Sequence, residues 1–257
     1  KIYEIVLLLN QNNIYINQIV PTLSNDISIM HNGKSYILLK YNKNMDRKIH
    51  LYDIIQFNQK VSYLKLESFE KVDWPMLWGN KIDYFEYQVN QLGKKYPKIR
   101  ESISYYIGMV ETGITLSVNR KTTDKGLIGI SHKRIGRNST LNDLYNPLNL
   151  IIDYKIRDAA EYFKDLFVEK ENIFEDIIKY FYDENLTLND CFNFFVRMFY
   201  PSFYFDLYEP IVNDEIDEDK IDLVLNKAHS YEQLLKNIYF YLAQYVEMPD
   251  IEWLKKI

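Results

Sequence analysis

The segment GLIGISHKRIGRNSTLNDLYNPLNLIID, residues 126–153, interrupts an otherwise helical pattern. It holds two short apolar runs, GLIGI and LNLIID, whose length and lack of helical period predict two β-strands. Between them lies SHKRIGRNS, which places Lys133, Arg134 and Arg137 beside His132. A cationic loop between strands can bind phosphate, or it can be a catalytic loop that has lost its acid. A third interpretation is a solvated basic loop whose arginines pair with nearby acids.

Helices are predicted on both sides of this segment. Upstream, apolar residues at helical spacing begin at Leu51, and Pro75 is tolerated in the first turn of a further helix. Downstream, residues 156–167 carry one apolar stripe, and Thr187 and Asp190 have the spacing of a capping box. The body of the chain is therefore predicted to be helical, with one central β-hairpin.

The first part of the chain follows a different pattern. IYEIVLLLNQN predicts a short buried helix, and two strand-like runs flank Asn32-Gly33, a dipeptide suited to a type I′ hairpin turn. Residues 1–42 are therefore predicted to form one helix and about three antiparallel strands, ahead of the helical body in residues 43–257. The predicted fold class is α+β.

The composition argues against several classes of function. The 257 residues carry a net charge of −5, which disfavours nucleic-acid binding because a phosphate backbone needs a basic face. The single Cys191 excludes an internal disulfide, and its place on an apolar helix stripe indicates a core residue. No apolar run approaches the ~20 residues of a membrane span. The spacing of the histidines does not indicate a zinc site. They are His31, His50, His132 and His229.

Several segments resemble, in the right order, those of a known family. They are WPMLWGNKIDYFE, YYIGMVETGI, RDAAEYFKDLF, RMFYPSFYFDLYE and MPDIEWL. From Ile14 to Trp253 the chain is similar to the spore-coat-associated kinase-like proteins of the CotS/YutH type. This resemblance implies a protein-kinase-like fold of the aminoglycoside phosphotransferase and choline kinase type, with residues 1–42 as a reduced N-lobe and residues 43–257 as the C-lobe. It also implies a role in spore-coat assembly, in the mother-cell cytoplasm or the spore coat, with coat or other proteins as partners.

The same resemblance bears on the catalytic competence of the basic loop. Active members of the wider fold carry a His-x-Asp-x-x-x-x-Asn loop, whose Asp accepts or orients the substrate hydroxyl proton and whose Asn helps to hold Mg²⁺. Here His132 matches the histidine, but Arg134 takes the Asp position and Ser139 the Asn position, with Asn138 one residue early. A guanidinium cannot accept a proton at neutral pH. His132 is expected to support the loop backbone.

A second acid, which binds the metal in active members, has two candidates. Asp153 ends LNLIID at the expected distance from His132, and Asp143 is the alternative. We prefer Asp153 as a degenerate metal position, and Asp158 is then expected to bind loop backbone near a helix start. These three acids fit a metal cluster and ordinary caps and ion pairs equally well.

The nucleotide half of the expected site is also incomplete. The sequence contains neither G-x-G-x-x-G nor G-x-x-x-x-G-K-[ST]. The resemblance places the phosphate loop and its strand lysine ahead of the helix that opens the chain, so Lys34 and Lys40 are not expected to bind ATP.

Three hypotheses follow from these features. The first is a catalytically degenerate kinase-like protein that works by binding partner proteins and needs no cofactor. The second is a small-molecule or protein phosphotransferase that uses ATP and Mg²⁺ with Asp153 or Asp143. The third is a pseudokinase that binds nucleotide without transferring phosphate.

Overall fold

The computed structural model describes residues 2–66, 68–92, 94–119 and 126–256, which form α-helices and short antiparallel strands. The predicted α+β class, mostly helical, is confirmed. The chain divides into two units. The first unit comprises Lys1–Lys71 and Ile128–Ala159, and the second comprises Val72–Leu127 and Ala160–Ile257. The predicted division after residue 42 concerns the lobes of a kinase-like fold, and it stays a prediction.

The first unit begins with the predicted helix, α1 (Ile2–Gln11), which buries Ile5 and Leu9. Four short strands follow where about three were predicted. They are β1 (Gln18–Val20), β2 (Ile29–His31), β3 (Lys34–Tyr36) and β4 (Leu38–Lys40). β1 pairs with β4 and β2 with β3, both antiparallel. The predicted turn joins β2 to β3, because Asn32 (φ 48°) and Gly33 (φ 72°) both have the left-handed backbone of a type I′ turn.

The next helices alternate between the two units. Helix α2 (Leu51–Val61) belongs to the first unit, and α3 (Trp74–Leu92) and α4 (Pro97–Val118) belong to the second. Pro75 lies in the first turn of α3, as predicted, where an N–H would have no helical acceptor. The chain then returns to the first unit. It adds β5 (Ile128–His132), the short helix α5 (Leu141–Leu144) and β6 (Leu150–Tyr154).

The predicted central hairpin is formed by β5 and β6. The strands pair antiparallel in a register that runs from Ile128 opposite Tyr154 to His132 opposite Leu150. Most residues of both strands are buried, and α1 packs against β6 and α2 against β5. This burial explains why both sequence runs are continuously apolar instead of alternating.

Helix α6 (Arg157–Glu169) begins in the first unit and continues in the second. Its predicted apolar stripe is buried, at Ile156, Ala159, Ala160, Phe163 and Phe167. The rest of the second unit is helical. It consists of α7 (Phe174–Asp183), α8 (Leu188–Met198), α9 (Ser202–Val212), α10 (Asp222–Leu225), α11 (Ala228–Leu242) and α12 (Glu252–Lys256). The predicted capping box opens α8, where Thr187 Oγ1 accepts from the Asp190 N–H.

The second unit has a core rich in aromatic rings. Helix α4 packs against α3 and α8, and α8 packs against α11. Trp74 stacks on Trp78 with ring centroids 5.2 Å apart, and Trp78 stacks on Tyr200 at 5.3 Å. Among the described helices, none is long and apolar enough to cross a membrane.

Candidate functional site

The central loop, residues 133–149, connects β5 to β6 in the first unit and is built around α5. Thr140 caps this helix, and Asp143 completes a capping box. Asp143 Oδ2 accepts hydrogen bonds from the Thr140 N–H at 2.7 Å and from Thr140 Oγ1 at 2.9 Å. The structure therefore gives Asp143, the alternative metal candidate, the role of a helix cap.

His132 ends β5 and is fully buried. Its Nδ1 lies 2.6 Å from Asp158 Oδ2, and its Nε2 lies 2.7 Å from the Leu144 carbonyl. The Leu144 carbonyl can only accept, so Nε2 is placed to donate to it. The ring therefore joins β5 to the end of α5 and to the first turn of α6.

Asp158 also binds loop backbone, as predicted. Its Oδ1 accepts from the backbone N–H of His132 at 3.0 Å. This aspartate lies in the first turn of α6, where a carboxylate is favoured by the exposed N–H groups of the helix. His132 and Asp158 thus form two hydrogen bonds with each other, one through the ring and one through the backbone.

Asp153, the preferred metal candidate, forms a buried ion pair with Arg157. The two side chains are 0% and 6% exposed, and Arg157 Nη1 donates to Asp153 Oδ2 at 2.6 Å. Asp153 Oδ1 accepts from the backbone N–H of Tyr154 at 2.7 Å. A guanidinium therefore occupies the position beside the carboxylate that a metal ion would need.

Arg157 also binds the start of the central loop. Its Nε donates to the His132 carbonyl at 2.9 Å, and its Nη2 donates to the Lys133 carbonyl at 3.2 Å. Arg157 was not among the residues predicted from the sequence. The available signal was its spacing of four from Asp153, but the pair forms across a strand-to-helix turn, where that spacing alone predicts no contact.

Arg134, which stands at the expected position of the catalytic base, is exposed. Asn149 holds its backbone, because Asn149 Oδ1 accepts from the Arg134 N–H and Asn149 Nδ2 donates to the Arg134 carbonyl. Ser139, at the expected Asn position, accepts from the Gly136 N–H through Oγ at 3.1 Å. Asn138 accepts from Lys48 Nζ at 2.7 Å.

These residues, as arranged, do not fit a magnesium ion. Mg²⁺ takes an octahedron of oxygen ligands, and its protein sites offer accessible carboxylates. Asp153 is buried against Arg157, and Asp143 is committed to the Thr140 cap. Within the described ranges, no group of three or more His, Cys, Asp or Glu side chains could hold a metal ion.

The remaining candidates lie away from this loop. Cys191 is buried in α8, and burial raises the pKa of its thiol to about 12, as in an inert core cysteine. Lys34 and Lys40 are exposed on β3 and β4. His31 and His50 are exposed, and the side chain of His229 is 77% exposed.

A buried polar cluster in the second unit was also not predicted from the sequence. Glu161 Oε1 accepts from Arg197 Nε at 2.6 Å and from Lys164 Nζ at 2.8 Å. The Arg197 guanidinium lies over the rings of Trp74 and Trp78, 5.2 and 5.4 Å from their centroids. The sequence does hint at this cluster, because Glu161, Lys164 and Arg197 are charged residues at helix positions that face the core.

Comparison with known proteins gives a family but no solved structure. Residues 2–238 match a family model described as "Spore coat putative kinase YutH". The chain is 25% identical to the endospore coat-associated protein YutH of Bacillus subtilis (strain 168) over 276 aligned positions, which cover 96% of this chain and 81% of that protein. No solved structure matches the chain. Because the family model spans most of the sequence, the chain belongs to the spore coat YutH family.

Proposed function

We propose that this chain is a catalytically degenerate kinase-like protein that acts in spore-coat assembly by binding partner proteins. The observation that carries this proposal is the buried Asp153–Arg157 pair. A carboxylate that serves phosphoryl transfer must face a metal ion, whereas this one faces a guanidinium inside the fold.

The central loop supports the same proposal. Phosphoryl transfer needs a group that orients or accepts the proton of the attacking hydroxyl. The resemblance places Arg134 at that position, and a guanidinium is permanently charged and cannot take up a proton. The polar groups beneath it are bonded to the protein itself: His132 to Asp158 and Leu144, and Arg157 to Asp153.

The kinase-like fold is part of the proposal. Its support is the order of elements, in which a helix and short strands precede a helical body with a central hairpin whose histidine ends the first strand. The role in the coat comes from the family, since the similar protein of B. subtilis is described as endospore coat-associated.

The first test is nucleotide binding by the purified chain. A ligand at a hundredfold excess over its Kd stabilises the folded state by about 2.7 kcal/mol, which a thermal melt detects. We expect no shift of the melting temperature with MgATP. A shift would support the pseudokinase hypothesis, and phosphate transfer would support the enzyme hypothesis.

The second test is partner binding by tagged protein in sporulating cells. We expect coat proteins to co-purify with the wild type and with the double variant Asp153→Asn/Arg157→Gln, which removes both charges of the pair together. The double variant avoids a buried, unpaired charge, so loss of folding is less of a concern. Loss of the partners in a folded double variant would contradict the proposal.

A further inference from the structure

We propose that the exposed face of the central loop, together with the segment before α2, binds an acidic segment of a partner protein. The surface, here called the cationic ridge, consists of residues 43–48 and 133–137. This inference rests on the proposed function, since it names the chemistry of the partner that the protein would bind.

Positive charge is concentrated on the ridge. The ridge sequences KNMDRK and KRIGR hold six cations and one acid, in a chain whose net charge is −5. Lys43, Lys48, Lys133 and Arg134 are exposed, and Arg137 is half-buried. The ridge therefore carries a charge opposite to that of the chain as a whole, which favours encounter with acidic partners at this surface.

Backbone contacts join the first segment of the ridge to residues 139–141, which follow closely after the second segment. Lys48 and Thr140 form a β-bridge. The Ile49 N–H donates to the Ser139 carbonyl at 2.9 Å, and the Leu141 N–H donates to the Arg47 carbonyl at 3.1 Å. Through these contacts, and through the hydrogen bond from Lys48 Nζ to Asn138, the first segment lies beside the chain that continues from the second.

The ridge is also preorganised. Asn149 holds both backbone groups of Arg134, Ile135 is buried beneath the loop, and Ser139 holds the Gly136 N–H. On the other segment, Asn142 Nδ2 donates to the Asn42 carbonyl and to Asp46 Oδ1. Because the backbone is already fixed, binding orders few groups, and less of the interaction energy is lost to entropy.

Two of the lysines make contacts that leave their charge uncancelled. Lys48 Nζ donates to the neutral amide of Asn138, and Lys133 Nζ donates to the Leu148 carbonyl. Arg47 differs, because its guanidinium forms two hydrogen bonds with the Asp53 carboxylate at 2.6 and 2.9 Å. Lys48 and Lys133 are therefore the residues to change.

An acidic protein segment fits the ridge better than a nucleic acid does. A nucleic acid is longer than this small patch. Its phosphates outside the ridge would lie against the acidic remainder of the chain, which repels them. A short run of carboxylates needs to contact only the ridge, where the exposed lysines offer salt-sensitive pairing.

The test measures binding of a fluorescent glutamate homopeptide by anisotropy. We expect the wild type to bind it, and to bind it more weakly as salt rises from about 50 to about 200 mM. The variant Lys48→Glu/Lys133→Glu should bind about tenfold more weakly or worse. The matched control, Lys60→Glu/Lys179→Glu, changes the net charge equally at exposed lysines outside the ridge and should bind as the wild type does.

Three results would overturn the inference: no binding by the wild type, equal weakening in both variants, or binding of an oligothymidylate as tight as that of the peptide. Circular dichroism checks that both variants are folded.

The failure of the ridge and the failure of the proposed function give different results. If coat proteins still co-purify with Lys48→Glu/Lys133→Glu, the ridge is wrong while the proposed function stands. Phosphate transfer by the wild type would overturn the proposed function whatever the peptide does.

Discussion

Arg157 links the polar groups of the central hairpin at the scale of single residues. It neutralises Asp153 and binds the carbonyls of His132 and Lys133, so one side chain fixes the end of β5 and the start of the loop. A buried ion pair adds little stability relative to apolar residues of the same shape, but removing one partner leaves a buried charge alone.

We therefore predict a large loss of stability for Arg157→Ala. The free energy of unfolding should fall by about 3–5 kcal/mol, because Asp153 is left buried without its cation. Urea denaturation of the purified protein measures this change. The matched control is Arg47→Ala, which breaks the Arg47–Asp53 pair at a side chain that is 50% exposed, and the loss there should be far smaller. Equal losses in the two variants would show that the Asp153 pair is not energetically special.

Some residues of the site could be predicted from the sequence, and others could not, for a physical reason. His132 and Asp158 were found because a known loop pattern assigns a position to each. Arg157 and Asn149 were missed because their contacts depend on how β6 turns into α6 and how the loop folds back on itself. No local periodicity encodes such contacts, since helix and strand patterns report burial and not hydrogen-bond partners.

At the scale of the elements, Gly113 determines how closely α4 and α8 can approach. A Cβ at this position would lie 2.8 Å from Phe199 Cβ and 3.2 Å from a ring carbon of Trp78. Glycine is a poor helix former, so Gly113 lowers the intrinsic stability of α4, but it allows the close packing described above.

We predict that Gly113→Ala lowers the free energy of unfolding by about 1–3 kcal/mol, because the added methyl overpacks a rigid aromatic contact. Gly108→Ala lies in the same helix and has nothing within 4 Å of its Cβ, so it should raise stability by about 0.5–1 kcal/mol. Thermal or urea denaturation of both variants checks the pair. A stabilising Gly113→Ala would mean that the two helices can separate without cost.

Most elements could be predicted from the sequence, and the exceptions are short. Long helices carry a clear apolar period, and the Asn32-Gly33 turn requires a backbone that few other dipeptides adopt. The count of N-terminal strands was wrong by one, because three-residue strands that are mostly exposed show no alternation to detect. Their pairing, β1 with β4 and β2 with β3, depends on contacts that no local signal specifies.

At the scale of the whole molecule, the proposed loss of catalysis does not depend on one substitution. The position at which the base is expected carries Arg134, and the carboxylate that is expected to bind the metal is paired with Arg157. Positioning and electrostatic stabilisation supply most of the rate in phosphoryl transfer, so each missing part lowers it independently.

We predict, accordingly, that Arg134→Asp does not create a phosphotransferase. The new carboxylate places a proton acceptor at the expected position of the base. Asp153 still pairs with Arg157, however, so the substitution does not make that carboxylate available to a metal ion. Incubation of the variant with radiolabelled MgATP should release or transfer no more phosphate than buffer alone. The stability of this variant should change little, because the Arg134 side chain is exposed and its backbone is held by Asn149. Turnover by Arg134→Asp would mean that the rest of a catalytic site is intact, with only its base replaced, and would favour descent from an active enzyme by a single reversible step.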